Sequence, residues 1–361
     1  MRRAARARID LNALRHNLSV ARAAAPGSRV MAVIKADAYG HGMREAARAL
    51  AGLSDAFAVS CVQEAAVLRE AGITQPLVVL QGFKDDAELV EVVRLDAQTV
   101  LHEPGQLACL ESSHLETPPA VWLKLDTGMH RLGFAPVEAA ALVQRLRTGD
   151  LVAGHPGLMT HLACADEPAR PESETQLRAF DEAVAGLPGE QSIANSAAVL
   201  RMPAAHRDWV RPGIMLYGAS PLIGVSAESM GLRPVMTVGA PVVAVKPLRP
   251  GDAVGYGGTY VCERPRTLAI VAIGYGDGYP RHAPSGTPVL VRGHRCPLMG
   301  RVSMDMLGVD VTDVPDVRVG DMATLWGEGL PVDEIAEVAG TISYELLCSV
   351  GGRLQAEYVE S

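Results

Sequence analysis

Short apolar runs and amphipathic stretches alternate along roughly the first 210 residues, and few folds accept that pattern. Candidate strands fall at 30–34, 56–61, 77–80, 99–101, 120–125, 158–162, 192–194 and 210–216. Between most of them lie stretches with apolar residues at i, i+3 and i+4, among them 43–51, 63–71, 103–110, 137–146 and 174–185. Eight strands alternating with helices are the pattern of a (β/α)8 barrel, the TIM-like architecture. An open, doubly wound sheet is the structural alternative. It usually needs fewer strands, and no G-x-G-x-x-G follows the first strand here.

The texture changes near 222–236, where Ser, Gly and Glu cluster and helical periodicity largely stops. Apolar runs at 241–245, 267–273, 288–291, 306–311 and 322–325 follow, parted by turn signals such as Arg249-Pro250-Gly251-Asp252 and Arg318-Val319-Gly320-Asp321. Only 331–340 and 344–347 look helical. The expectation is an α/β chain: a barrel over 11–228, then a smaller, mostly β domain over 229–361, with residues 1–10 packing against the latter. With 361 residues, 48% of them hydrophobic, there is core enough for both.

Bulk properties exclude several classes. A net charge of −8 argues against a general nucleic-acid binder, which needs a basic face. The basic start, Met1 to Arg8, runs into Ile9-Asp10-Leu11 without an apolar core or a small-residue cleavage site, unlike a secretory signal. No apolar run reaches the length of a membrane span. The six cysteines contain no C-x-x-C pair, and no H-E-x-x-H occurs among the histidines. Reduced thiols in a cytoplasm are expected, and no metal centre.

Lysine is scarce: 29 arginines stand against Lys35, Lys84, Lys124 and Lys246. Arginine serves most surface roles, but a primary amine is needed for a Schiff base or for proton abstraction. Lys35 ends the apolar run Val30-Met31-Ala32-Val33-Ile34 and leads into a Gly/Tyr/His loop. In a barrel, chemistry sits at the C-terminal ends of strands. Lys124, His161, Ser196 and Arg211 also fall at or just past strand ends. Each has an ordinary reading: Lys124 an inward cation near Asp126, His161 a satisfied core histidine, Arg211 a buried salt-bridge partner, Ser196 a helix cap. Together, an amine, a Ser and Gly able to cradle a phosphate, and polar groups around one mouth suit a phosphorylated aldehyde such as pyridoxal 5'-phosphate.

Val33-Ile34-Lys35-Ala36-Asp37-Ala38-Tyr39-Gly40-His41-Gly42 resembles the pyridoxal-phosphate attachment signature of alanine racemases. Further segments resemble that family in the same order over nearly the whole chain: Lys124 to Phe134, Met159 to Ala163, Asn195 to Ala198, Arg211 to Gly218, Val254 to Tyr260, Ile273 to Gly278, Gly300 to Asp305 and Ser343 to Glu345. The resemblance implies Lys35 as cofactor anchor and base on one face of the substrate Cα. It implies Tyr256 of the partner subunit as the acid/base on the other face. Tyr39, Ser196, Gly213, Ile214 and Tyr344 resemble the phosphate-binding set. Arg211 resembles the partner of the pyridine nitrogen, and His161, Arg211 and Arg281 the network that tunes the tyrosine. Arg131 and the Met304 N–H, the latter from the other subunit, resemble the carboxylate site. Lys124 resembles a lysine carbamylated in many members, and Tyr275 and Asp305 resemble supporting and entryway residues. A homodimer with shared sites follows, acting on alanine and supplying D-alanine for peptidoglycan.

Two other readings compete. A serine or broad-specificity racemase differs only in side chains at the entry. A basic amino-acid decarboxylase of similar barrel type would be expected to carry an acid where Arg211 stands and to lack the Tyr256 motif. The non-enzymatic alternative is a pyridoxal-phosphate-binding protein, but such proteins are barrel-only.

Overall fold

The computed structural model describes residues 5–360. The first four residues of the basic start, and the last residue of the expected C-terminal domain, lie outside the described residues. The first strand, β1 (Arg6–Asp10), ends in the cap of the first helix, α1 (Leu11–Ala24). The Asp10 carboxylate accepts the Asn12 and Ala13 N–H groups at 2.9 and 3.0 Å, satisfying donors that a helix start leaves open. Leu14, Leu18 and Ala21 share one face and are buried. Each leucine contributes about 1.5–3 kcal/mol of burial.

Eight parallel strands then close a barrel: β2 (Arg29–Val33), β3 (Ala56–Val59), β4 (Leu77–Val79), β5 (Ala97–Leu101), β6 (Val121–Lys124), β7 (Gly157–Met159), β8 (Gln191–Asn195) and β9 (Trp209–Arg211). β9 pairs with β2, so no edge is left open. The apolar run at 210–216 is not one strand. Pro212 has no N–H to give the ladder, and Ile214–Tyr217 coils into a 3-10 turn.

Beyond the barrel the chain is mostly β. The long strand β10 (Met236–Leu248) is followed by the small pair β11 (Ala253–Val254) and β12 (Tyr260–Val261), then β13 (Arg266–Val271), β14 (Pro288–Val291), β15 (His294–Met299), β16 (Leu307–Asp310) and β17 (Met322–Trp326). β10 pairs with β17 along one half and with β13 along the other, so β13-β16-β15-β14-β17-β10 return on themselves. β1 lies between β10 and the last strand, β18 (Gln355–Val359). Two short helices, Val332–Ala339 and Ser343–Ser349, precede β18. The second packs on the turn that carries Lys35.

Candidate active site at the barrel mouth

Lys35 follows β2 by two residues and opens a turn of unusual hand. Ala36, Asp37, Ala38 and Tyr39 all have φ between 52° and 54°. For L-residues this left-handed geometry costs roughly 1–2 kcal/mol each, so the surroundings must hold it. The Glu64 carboxylate accepts the Ala36 N–H at 2.7 Å and the Ser60 N–H at 2.6 Å. Asp37 accepts the Met43 N–H at 2.7 Å. The buried His41 ring faces the Ala38 and Tyr39 carbonyls at 3.0 and 2.9 Å through Nδ1, which must therefore carry a proton and donate. Burial holds this imidazole down at about 4, so it stays neutral. Tyr39 stacks on Tyr217 at 4.7 Å, and the Tyr217 hydroxyl donates to the Val33 carbonyl at 2.9 Å.

The mouth gathers cations. Burial lowers the Lys35 amine, helped by Arg131, while Glu64 and Cys348 pull the other way. Lys124 closes β6 and is buried. Desolvation first, then Arg211, Arg131 and Lys35, bring it down to about 8. Asp126 only partly opposes this, because its carboxylate accepts the Gly128, Met129 and His130 N–H groups. Those bonds shape the loop on which Arg131 stands. The loop is closed at its base by Asp126 N–H to the Phe134 carbonyl and Phe134 N–H to the Lys124 carbonyl, at 2.8 and 2.9 Å.

Arg211 is 5% exposed, yet its partners are neutral. It donates to Ser192 Oγ at 2.6 Å, to the Thr160 and Ile193 carbonyls at 2.6 and 3.1 Å, and to His161 Nδ1 at 3.3 Å. The salt-bridge reading of this arginine is thus replaced by a fork held on uncharged acceptors, and desolvation lowers it to about 10. His161 sits well below its ordinary value through burial and then Arg211, so Nδ1 is free to accept. The Gln176 side chain fixes the backbone there, donating to the His161 carbonyl at 3.0 Å and accepting the Ala163 N–H at 2.8 Å.

Ser196 is not a helix cap. Asn195 caps the helix Ser196–Arg201, accepting the Ala198 N–H at 3.1 Å. Ser196 Oγ instead accepts the Gly213 N–H at 2.8 Å. A Cβ on Gly213 would lie 2.7 Å from the Tyr39 hydroxyl, so only glycine lets that phenol and Ser196 share the space. Ile214 is buried beside it. Tyr344 leans in from the helix Ser343–Ser349, 5.9 Å from Tyr39, and burial pushes its phenol up to about 12.

The other sequence candidates lie apart, on the C-terminal domain. Tyr256 is 68% exposed and opens a short turn, Tyr256–Gly258. Met304 is 53% exposed, and its carbonyl accepts the Gly276 N–H at 2.8 Å. Tyr275 lies 6.0 Å from the Arg281 guanidinium, at the outer reach of a cation–π contact. Asp305 pairs with Arg353 at 2.5 Å. Glu64, Gln176, Ser192 and Tyr217, absent from the sequence candidates, hold the mouth together. Nothing in their local spacing marks them, because, apart from the Glu64 bond to the nearby Ser60 N–H, each acts across 13 or more residues of chain.

Among the described residues no helix is long and apolar enough to cross a membrane, and no group of His, Cys, Asp and Glu could hold a metal ion. The sequence matches the family described as the alanine racemase N-terminal domain over residues 9–221, and the alanine racemase C-terminal domain over 235–358. It is 74% identical over 360 residues to an alanine racemase of Thioalkalivibrio sulfidiphilus, covering 99% of this chain and 100% of the relative. An alanine racemase of Halorhodospira halophila is 51% identical, with 100% and 99% covered. The fold superimposes on the crystal structure of the biosynthetic alanine racemase of Pseudomonas aeruginosa with a TM-score of 0.97 at 46% identity, covering 99% and 100% of the two chains. On these grounds the chain belongs to the alanine racemase family.

Proposed function

We propose that this enzyme interconverts L- and D-alanine by taking a proton from one face of Cα and returning one to the other, using pyridoxal 5'-phosphate held at the barrel mouth. The observation that carries the reading is Lys35, its amine lowered by burial, at the same mouth as a polar cradle built from the Ser196 Oγ and Gly213 N–H pair beside the Tyr39 hydroxyl. The cradle fits the group. Ser196 Oγ, the Gly213 N–H and the Tyr39 hydroxyl meet where Gly213 lacks a side chain, and the Tyr344 ring lies 5.9 Å from that of Tyr39. When bound, the cofactor supplies an aldehyde for an amine and a conjugated ring that takes up the electron pair left at Cα.

This chain's residues supply the rest. Lys35 would anchor the cofactor's aldehyde through its amine and would hold or release a proton at Nζ on one face of the substrate Cα. Burial, then Arg131, lowers its pKa, which favours the free amine a base needs. Arg211 would be the hydrogen-bond partner of the cofactor's ring nitrogen. An arginine does not readily give up a proton, so Arg211 would leave that nitrogen unprotonated and its pull on charge moderate. His161 orients Arg211. Arg131 binds the substrate carboxylate together with the Met304 N–H of the partner subunit. Tyr256 of the partner subunit serves the opposite face of Cα, with Arg281 beside it. The homodimer with shared sites follows from the family resemblance, and Tyr256 and Met304, both exposed in one chain, are open to such a partner.

The neutral Lys124 amine can add carbon dioxide and release a proton, giving a carbamate. That would put an anion beside Arg131 and fix its guanidinium. In a cell that builds peptidoglycan, the product would supply D-alanine from the cytoplasm. The test is L-alanine with the loaded enzyme in deuterated water, following the α-proton and both enantiomers. Loss of the proton with D-alanine appearing supports the reading. Exchange without inversion removes Tyr256 as second base. No exchange with alanine, but exchange with serine, favours a racemase of wider pocket.

A further inference from the structure

One carboxylate joins three segments where the two domains meet. Asp333 lies in the first turn of the helix Val332–Ala339. Its two oxygens accept the Ser220 N–H at 3.2 and 3.1 Å, and one also accepts the Ser343 hydroxyl at 2.5 Å. Ser220 belongs to the segment that leaves the last barrel strand. Ser343, 7% exposed, opens the helix Ser343–Ser349.

That helix touches the cofactor site in two ways. It carries Tyr344 toward Tyr39. Its backbone also presses on the turn of Lys35: a Cβ on Gly40 would lie only 2.3 Å from the Leu347 carbonyl oxygen. Its far end is tied separately, by Ser349 Oγ donating to the Gly278 carbonyl at 2.8 Å. The near end, where Tyr344 stands, is held by Asp333.

We propose that Asp333 is a positioning residue for the cofactor site. By holding Ser343 to Ser220 it sets the place of Tyr344. The proposal rests on the reading of Tyr344 as a phosphate ligand. A carboxylate accepting from a backbone N–H and a hydroxyl makes stronger, better-aimed bonds than a neutral acceptor. Asp333→Asn keeps the volume but turns one oxygen into an N–H2 donor facing one of these donors. Ser343→Ala removes only the hydroxyl and leaves the bond to Ser220.

The experiment titrates pyridoxal phosphate into cofactor-free dimer and reads the dissociation constant for wild type, Asp333→Asn, Ser343→Ala, Tyr344→Phe, and each of the first two combined with Tyr344→Phe. Each of the first two variants alone should weaken binding by about ten-fold, on the order of one charge-assisted hydrogen bond. Combined with Tyr344→Phe they should add little, because both act through the same phenol. Wild-type affinity in both single variants, or losses that simply multiply in the double variants, overturns the proposal. A lowered melting temperature with unchanged affinity overturns it too. If Asp333→Asn does not fold, the Ser343→Ala pair decides. Should wild type itself take up no cofactor, the proposed function has failed in the first titration, separately from any role of Asp333.

Discussion

Gly40 offers a sharp test of how the Lys35 turn is held. Its φ is +79°, and an added Cβ would meet the Leu347 carbonyl oxygen at 2.3 Å, with the carbonyl carbon at 3.2 Å. Ordinary contact is about 1 Å longer, and the atom in the way is backbone inside a packed helix. Gly40→Ala therefore carries two costs. Left-handed backbone costs about 1–2 kcal/mol for a residue with a Cβ, and overpacking adds about 1–3 kcal/mol. Gly72 is the control: its φ is +82°, with nothing within 4 Å of an added Cβ. Gly72→Ala should show the backbone cost alone. For a chain of this size each kcal/mol moves the melting midpoint by about 1.3 °C. The expected falls are then roughly 3–6 °C for Gly40→Ala and 1–3 °C for Gly72→Ala. Cofactor affinity separates them further. It should drop about ten-fold or more for Gly40→Ala, the equivalent of about 1.4 kcal/mol, and stay unchanged for Gly72→Ala. Equal effects of the two variants on both readouts would refute the idea that helix Ser343–Ser349 is packed in hard contact with the turn.

Three further outcomes are expected. Mixing inactive Lys35→Ala and Tyr256→Phe subunits should restore up to about a quarter of wild-type activity, since about half of randomly paired dimers hold one intact site; no recovery, with subunit exchange verified, would count against shared sites. Lys124 drops from its ordinary 10.5 to about 8, so below about 8 both folded and unfolded chains hold the proton and the folded state bears a penalty of about 3 kcal/mol, which fades as pH rises toward 10.5. Bicarbonate at neutral pH should therefore raise the melting temperature of wild type but not of Lys124→Gln, with the added carboxyl visible by intact mass; equal responses would argue against a carbamate. Glu64→Gln leaves either the Ala36 or the Ser60 N–H facing a donor and removes an anion near Lys35, so labelling of Lys35 by an amine reagent in cofactor-free protein should have its pH midpoint moved down; an unmoved midpoint would show that Glu64 does not act on Lys35.

Much of the barrel could be read from the chain because each strand is a short buried run, and buried runs carry their own signal. α1 is absent from the stretches read as helical, although Asp10 is a capping residue type and Leu14, Leu18 and Ala21 share a face. The edge strands were harder. β18 is largely exposed and so shows no apolar alternation. Ser196 stood one residue from the true cap, because Asn195 and Ser196 are both good capping residues and only the fold decides between them. The mouth itself was legible as residue types at strand ends. What no spacing could show was how they are held: Arg211 on neutral acceptors, Asp126 spent on its own loop, Asp333 reaching back more than a hundred residues to the Ser220 N–H. The hand of the turn at 36–39 was also hidden, since two alanines favour ordinary helix.

That turn can be restated in terms of chirality. Residues 36–39 trace a short piece of mirror-image helix built from the wrong enantiomers, and the bonds from Glu64, Asp37 and His41 hold it there. A D-residue would occupy the same angles at ease. Ala36 is exposed, so inverting its Cα disturbs no packing. Semisynthetic protein with D-alanine at position 36 should be more stable than the natural chain by about 1–2 kcal/mol, and less dependent on Glu64. A chain whose proposed product is D-alanine would thus be stabilised, one residue from its lysine, by incorporating that product; a loss of stability on the same substitution would mean the turn is not under strain at all.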